Sequence, residues 1–179
     1  SEFHVRSERS VIEDRYCSEA LLTGIKMDLD QMRSEIRPLG NSAIVAGSEQ
    51  KARIHIHPNH PADLFFKLKD YGSITQIKVD DMLKQYETSY NRKSGIALVT
   101  DSSCDLPQEI IDDHQIHVIP MILSFGDSLF LDKVTITPSQ FYTLLRTHKE
   151  HPKSSQPSPQ SIQNLFAFLT SHYQSIIVV

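Results

Sequence analysis

The stretch 96–107, Ile-Ala-Leu-Val-Thr-Asp-Ser-Ser-Cys-Asp-Leu-Pro, constrains the fold of this chain more than any other. Its first five residues are apolar or β-branched without polar alternation, a pattern typical of a strand buried on both faces. Asp101 and Ser102 open a polar turn, and Pro107 suits the start of a helix over 108–114. The sequence therefore predicts the first βα unit of a parallel sheet. Ligands of such sheets bind at the carboxyl ends of the strands, where Asp101 and Ser102 would lie.

Composition excludes several classes of function. No apolar run among the 179 residues approaches the roughly 20 needed to cross a bilayer, so we expect no transmembrane segment. The net charge of −4, without a basic cluster, argues against nucleic acid as a partner. Cys17 and Cys104 are too few and too far apart for a disulfide framework, which favours a cytoplasmic protein.

Both ends of the chain suggest a piece of a longer protein. Ser1-Glu2-Phe3 resembles a cloning remnant, and the sequence stops at Val179 inside an apparent buried strand that begins at Ser175. A strand edge left open in this way favours pairing with another copy. We therefore expect a fragment that forms homo-oligomers.

Residues 4–92 predict a first module with the element order β-α-β-β-α-β. The predicted strands lie near 11–17 and at 43–46, 52–57 and 74–79, and the helices at 27–36 and 62–70, with a further helix at 80–90 before a linker at 91–95. This order is that of the ferredoxin-like α+β fold, in which helices cover one face of an antiparallel sheet.

The chemistry of this first module lies in His55-x-His57. Residues two apart on a strand point to the same side, so both imidazoles can reach one ion. Zinc takes three or four ligands, and Cys17 lies in the predicted first strand, a potential neighbour of the histidine strand. On spacing alone, two solvated histidines and a core cysteine are the simpler interpretation. His60 follows a proline and is expected in a loop.

Several short motifs in the first half resemble a known family when taken in order. They are Arg-Tyr-Cys-Ser-Glu at 15–19, Leu-Gly-Asn-Ser at 39–42, Ile-Val-Ala-Gly at 44–47, Ile-His-Ile-His at 54–57, Tyr-Gly-Ser-Ile at 71–74 and Ile-Lys-Val-Asp-Asp-Met at 77–82. This half is similar to the middle region of the dihydroxyacetone-kinase-like proteins that act as bacterial fatty acid kinases. The resemblance implies zinc bound by Cys17, His55 and His57. ATP and Mg²⁺ would be bound only by a kinase domain preceding residue 1, because this chain has no Gly-x-x-x-x-Gly-Lys-Ser/Thr loop.

Residues 93–179 predict a second, α/β module. A strand over 117–125, bent at Pro120, precedes a hairpin strand at 129–131 and a helix opened by Thr137 and Pro138. The hydroxyl-rich stretch 153–159 is predicted to be a loop before a last helix. Its hydroxyls suit hydrogen bonds, either to their own backbone or to a small anion such as a carboxylate.

Motifs of this second half resemble the DegV family. They are Val-Thr-Asp-Ser-Ser-Cys-Asp-Leu-Pro at 99–107, His-Val-Ile-Pro at 117–120, Ile-Thr-Pro-Ser-Gln-Phe-Tyr at 136–142 and Ser-Ser-Gln-Pro-Ser at 154–158. The resemblance implies the start of a truncated, Rossmann-like parallel-sheet domain that binds a long-chain fatty acid. It implies that the hydroxyls of Ser154 and Ser155 contact the fatty acid carboxylate, and the strand-end rule adds Asp101 and Ser102.

The sequence therefore predicts a fusion of a kinase middle module with the start of a fatty-acid-binding domain. We expect this chain not to be catalytic itself, and to support phosphorylation of fatty acids by a kinase domain of the same parent chain or of a separate subunit. One alternative is a metal-stabilised interaction or regulatory module without a lipid role. Another is a hydrolase turn at 101–103, which lacks acid–base partners if His114 and His117 are ordinary surface residues.

Overall fold

The computed structural model describes residues 14–179, which combine helices with one four-stranded and two three-stranded sheets. Four strands, three α-helices and a 3-10 helix (Arg37–Leu39) make up the described part before the linker; the strands and α-helices are named in chain order. They are β1 (Tyr16–Thr23), α1 (Leu29–Ile36), β2 (Asn41–Ser48), β3 (Lys51–His57), α2 (Pro61–Leu68), β4 (Ser73–Asp81) and α3 (Met82–Tyr90). The strand order is β2-β3-β1-β4, and each neighbouring pair is antiparallel.

Helices α1 and α2 cover one face of this sheet. Asp28 starts α1 because its carboxylate accepts hydrogen bonds from the backbone N–H groups of Asp30 and Gln31. The apolar face of α1 then buries Met32 and Ile36 in a core that also includes α2 and the inner residues of the strands. The paired histidines lie on the opposite face of the sheet, away from this core.

The position of β1 differs from the prediction. We expected a strand near 11–17, but β1 runs from Tyr16 to Thr23, and residues 11–13 lie outside the described part of the chain. β1 is a central strand whose core-facing residues Ser18, Ala20 and Leu22 are buried. Two of these three are small, so the apolar alternation is weak in the sequence and becomes clear only when β3 and β4 pair on either side.

The stretch 96–107 begins with the central strand of a parallel sheet, as its sequence predicts, but this strand is not buried on both faces: Ala97 and Val99 are buried, whereas Ile96 is 45% exposed. β5 (Ile96–Asp101) lies between β6 (His117–Ile119) and β10 (Ser175–Val178), and both pairings are parallel. The helices of this part are α4 (Gln108–Asp113), α5 (Pro138–Thr147) and α6 (Pro159–Thr170). Ala97 and Val99 of β5 are buried against Leu169 of α6, which fixes the helix on the sheet.

The segment 117–125 is not one strand. It divides into β6 and β7 (Ile122–Phe125), which belong to different sheets. Pro120 lacks a backbone N–H for a ladder, and the N–H of Met121 instead donates to the hydroxyl oxygen of Ser102 at 3.0 Å. The chain therefore leaves the parallel sheet at Pro120.

The third sheet corrects a second prediction. It has the order β8-β7-β9 and contains β8 (Ser128–Leu131) and β9 (Lys153–Ser155), both antiparallel to β7. We expected 153–159 to be a loop, but its first three residues pair with β7. Pairing with β7 gives the backbone N–H and C=O groups of β9 hydrogen-bond partners, which water would supply in a loop. This pairing depends on a strand about 30 residues away in sequence.

The parts before and after the linker share one apolar cluster. Phe125, Phe130 and Ile136 are buried together with Phe65 and Ile74 of the first part. Polar contacts add to this packing. The Arg15 guanidinium lies 2.7 Å from Asp81 and 3.1 Å from Asp112 of α4. The two parts therefore pack against each other over a mixed apolar and ionic surface.

His117 is buried, contrary to the expectation that it is an ordinary surface residue. Only 6% of it is exposed, and its Nε2 lies 3.4 Å from the hydroxyl oxygen of Tyr173. Burial lowers the pKa of His117 to about 4, with a further lowering from the charge of Lys84. His114 is exposed.

Within residues 14–179, no helix has the length and apolar character that a membrane span requires.

Candidate metal and carboxylate sites

The register of β1 and β3 assembles the predicted metal ligands. Ser18 pairs with Ile56 and Glu19 with His55, and Ser18 and Ile56 are both buried in the core. Since successive side chains on a strand point to opposite faces, Cys17, His55 and His57 all lie on the face opposite α1 and α2. The alternation in the sequence placed the two histidines together, and the pairing of β1 with β3 adds the cysteine.

The three side chains form a compact set. One ligand atom from each of Cys17, His55 and His57 can be chosen so that all lie within 4.8 Å of one another. The two imidazole rings meet edge to face, with centroids 4.9 Å apart, and all three residues are half-buried. One sulfur and two imidazole nitrogens are a donor set that zinc favours over Mg²⁺ or Ca²⁺, so the residues present fit zinc.

Charges around Cys17 disfavour its thiolate when no cation is bound. Burial raises the pKa of the Cys17 thiol, the Asp80 carboxylate raises it further, the Lys78 ammonium lowers it, and Glu19 adds the smallest raising effect. Asp80 is the partner of Cys17 on β4, and Lys78 Nζ lies 2.6 Å from its Oδ2. A bound dication would reverse this preference, because it attracts the thiolate directly.

Glu19 is a further candidate ligand that the sequence patterns did not predict. This residue lies two positions after Cys17 and directly opposite His55, with its Oε1 4.0 Å from the His55 Nδ1. The sequence contains a hint of this ligand, because Cys17-x-Glu19 has the same two-residue spacing as His55-x-His57. It could not be interpreted without the register, which decides whether Glu19 faces the histidines.

Ser154 and Ser155 lie on an accessible sheet edge. They belong to β9, an outer strand of the third sheet, where Ser154 pairs with Leu123 and Ser155 with Ile122. Both residues are exposed, and neither hydroxyl is hydrogen-bonded to another group within 14–179. Two adjacent exposed hydroxyls can donate to the oxygens of a carboxylate.

Ser102 and Asp101 lie where the strand-end rule placed them, but their side chains have different surroundings. Ser102 is 1% exposed, and its hydroxyl oxygen accepts the Met121 N–H described above. Asp101 is exposed, and its carboxylate accepts hydrogen bonds from the hydroxyl and the backbone N–H of Ser103, which lower the pKa of Asp101. Ser102 thus supports the same chain segment, Met121–Ile122, that pairs with Ser155.

The structure therefore contains two separate sets of candidate site residues. Cys17, His55 and His57 lie on the four-stranded sheet, whereas Ser154 and Ser155 lie on the third sheet. The first set offers a sulfur and imidazole nitrogens that fit a metal ion, and the second offers two exposed hydroxyls on an outer strand.

Comparison with family models divides the chain at the linker. Residues 13–89 match the family model of the middle domain of FakA-like fatty acid kinases. Residues 95–179 match the model described as "Uncharacterised protein, DegV family". The chain thus combines two segments that are each similar to a different family.

Curated relatives match about half of the chain. Protein DegV of Bacillus subtilis is 32% identical over 85 residues, which is 48% of this chain and 30% of that protein. A DegV domain-containing protein of Clostridium acetobutylicum is 35% identical over 85 residues, covering 47% of this chain and 30% of that protein. The chain thus spans under a third of the length of these relatives.

Two solved structures also resemble the chain in part. "Crystal Structure of DegV, a fatty acid binding protein from Bacillus subtilis" has 32% identity and a TM-score of 0.45, covering 47% of this chain and 30% of that one. "Fatty Acid Binding of a DegV family Protein from Thermus thermophilus" has 27% identity and a TM-score of 0.43, with the same coverage.

Proposed function

We propose that this chain is part of a bacterial fatty acid kinase system, in which it holds a zinc ion and contributes to the site for the fatty acid carboxylate. The observation that carries the proposal is the presence in one chain of a segment matching a fatty acid kinase middle domain and a segment matching the DegV family. Joining a lipid carrier to its kinase raises the effective concentration of one at the other without any new contact.

The lipid role is assigned to the second segment. It is 32% identical in sequence to the Bacillus subtilis DegV, which is described as a fatty acid binding protein. Ser154 and Ser155 offer two hydroxyls at an exposed strand edge, Ser102 supports the neighbouring backbone at Met121, and Asp101 lies exposed at the end of β5. We assign the serine hydroxyls to the carboxylate of a long-chain fatty acid.

The metal role is assigned to the first segment. Cys17, His55 and His57 would hold zinc, which would link β1 and β3. On this proposal the segment is a ferredoxin-like module, which the antiparallel order β2-β3-β1-β4 supports, and the parallel strands β10-β5-β6 begin a Rossmann-like domain. The domain bounds are 4–92 and 93–179.

The chemistry of the whole system would be transfer of phosphate from ATP to the fatty acid carboxylate. ATP and Mg²⁺ would be bound by a kinase domain of the same parent protein or of a separate subunit, in the cytoplasm. This chain would then hold the lipid carboxylate and the metal, and leave the transfer to that domain.

The lipid proposal is tested by NMR of the ¹⁵N-labelled chain with octanoate, a fatty acid short enough to stay monomeric. We expect the amide signals of Ser154 and Ser155 to shift with octanoate and not with octanol, which has the same chain but no carboxylate. The double variant Ser154→Ala/Ser155→Ala should lose the response, whereas Ser139→Ala, an exposed serine of α5, should keep it. Equal shifts with both ligands would contradict the carboxylate contact, and no shifts with either would leave a metal-stabilised module without a lipid role.

A further inference from the structure

We propose that Glu19 supplies the fourth ligand of the metal held by Cys17, His55 and His57. This inference rests on the zinc site proposed above and extends it by one residue. Zinc at structural sites usually has four protein ligands, and the three residues at this site leave one position to fill.

The register of β1 and β3 makes Glu19 the natural neighbour of the other three. Glu19 is the cross-strand partner of His55, and Cys17 and His57 are the next residues on the same face of the two strands. The four residues thus occupy the corners of one rectangle on an antiparallel pair, where side chains of directly opposite residues are in contact range. The Glu19 carboxylate lies outside the 4.8 Å cluster of the other three ligand atoms and would rotate toward it when a metal binds. Each corner is a residue type that binds zinc.

The Glu19 carboxylate is free to turn toward a metal. Its Oε1 lies 4.0 Å from the His55 Nδ1, and its side chain is 37% exposed. Within residues 14–179 the Glu19 carboxylate accepts no hydrogen bond, and the ion pair that it can form is with His55, which belongs to the same set of ligands. Its reorientation would cost only side-chain entropy.

Asp80 is the other carboxylate beside the cysteine, and it is a poorer candidate. It is the partner of Cys17 on β4, but its Oδ2 lies 2.6 Å from the Nζ of Lys78. A metal bound by this carboxylate would compete with the lysine for its negative charge. Asp80 therefore provides the matched control for Glu19.

The charge balance also favours Glu19. A thiolate and a carboxylate together neutralise Zn²⁺, whereas one thiolate and two neutral imidazoles leave one positive charge on a half-buried face. The neighbouring Lys78 and Asp80 already cancel each other. The four-residue set is thus electrically neutral when the metal is bound.

The test is zinc affinity, measured on the whole chain by competition with a chromophoric chelator, together with the visible spectrum of the Co²⁺-substituted protein. We compare wild type with Glu19→Gln, Glu19→His and the control Asp80→Asn. Glu19→Gln should lose at least about 100-fold in affinity, the upper end of what loss of an outer partner costs, and should alter the Co²⁺ spectrum. Glu19→His should restore tight binding through a new nitrogen ligand, and Asp80→Asn should stay near wild type.

The outcomes distinguish the proposed zinc site from the assignment of Glu19 as its fourth ligand. If wild type binds one zinc and His55→Ala abolishes it, but Glu19→Gln binds as tightly as wild type with an unchanged Co²⁺ spectrum, the Glu19 assignment is wrong and the zinc site stands. If Glu19→Gln weakens binding without changing the spectrum and Glu19→His fails to restore it, Glu19 only positions His55. If wild type takes up no metal, both proposals fall. Circular dichroism without metal confirms that each variant is folded.

Discussion

The hydroxyl oxygen of Ser128 accepts a hydrogen bond from the backbone N–H of Ile74 at 3.2 Å. This bond joins β8 to the first residues of β4, across 54 positions of the sequence and across the linker. Ile74 itself is fully buried in the cluster that includes Phe130 of β8. The first sheet and the third sheet are thus connected by both a polar and an apolar contact, so the two family segments share part of their core.

Truncating the Phe130 side chain should therefore destabilise both segments together. Phe130→Ala removes a fully buried ring and should lower the free energy of unfolding by about 3–5 kcal/mol. Urea titration followed by NMR signals of β1 and of β5 should show one shared transition at a lower urea concentration. Tyr142→Ala, at a residue that is 57% exposed, is the control and should change little. Signals of β1 that persist at the wild-type midpoint would show that the segments unfold independently.

Ser102 and the serines of β9 should differ in their effect on stability. Ser102→Ala removes the acceptor of the Met121 N–H at a residue that is 1% exposed, and should cost about 1–3 kcal/mol. Ser154→Ala and Ser155→Ala change exposed hydroxyls and should stay within about 0.5 kcal/mol of wild type. Thermal unfolding of the three variants and of wild type measures these differences in stability. A Ser102→Ala variant as stable as wild type would mean that water replaces the lost acceptor.

The burial of His117 predicts a loss of stability in acid. Its pKa is about 4 in the folded chain and near 6.5 when unfolded, so the unfolded state binds more protons between these values. Stability from this group is fully present above about pH 6.5 and should fall by on the order of 3 kcal/mol as the pH drops toward 4.

His117→Gln removes this dependence and still offers the Tyr173 hydroxyl a polar partner. The difference in unfolding free energy between variant and wild type, measured by urea denaturation from pH 7 to pH 4, should change in favour of the variant as the pH falls. His114→Gln, at an exposed histidine, serves as the matched control. A difference that does not vary with pH would contradict the assignment.

Metal content should depend on the paired histidines. The double variant His55→Ala/His57→Ala removes two of the three clustered ligands, and elemental analysis should find near-stoichiometric zinc in wild type and almost none in the variant. His60→Ala is the control, because this exposed residue precedes α2 and its side chain makes no capping bond. Equal zinc in all three proteins would place the metal elsewhere.

The sequence by itself determined the local elements and the faces of the strands. The uninterrupted apolar run at 96–100 was enough to predict the strand β5, but not its burial, because only Ala97 and Val99 on one face are buried. The spacing of His55 and His57 was enough to place both rings on one side of β3, because alternation is a property of the strand itself. The turn signals also located most helices to within a few residues.

Only the tertiary structure decided what depends on pairing between distant segments. β9 forms because its backbone pairs with that of β7. The chain leaves the parallel sheet at Pro120, where the following N–H, of Met121, donates to the hydroxyl oxygen of Ser102. Glu19 became a metal-ligand candidate only through its register opposite His55, since a shift of one residue would turn it into the core. Such contacts join residues far apart in sequence, and no local pattern encodes their partners.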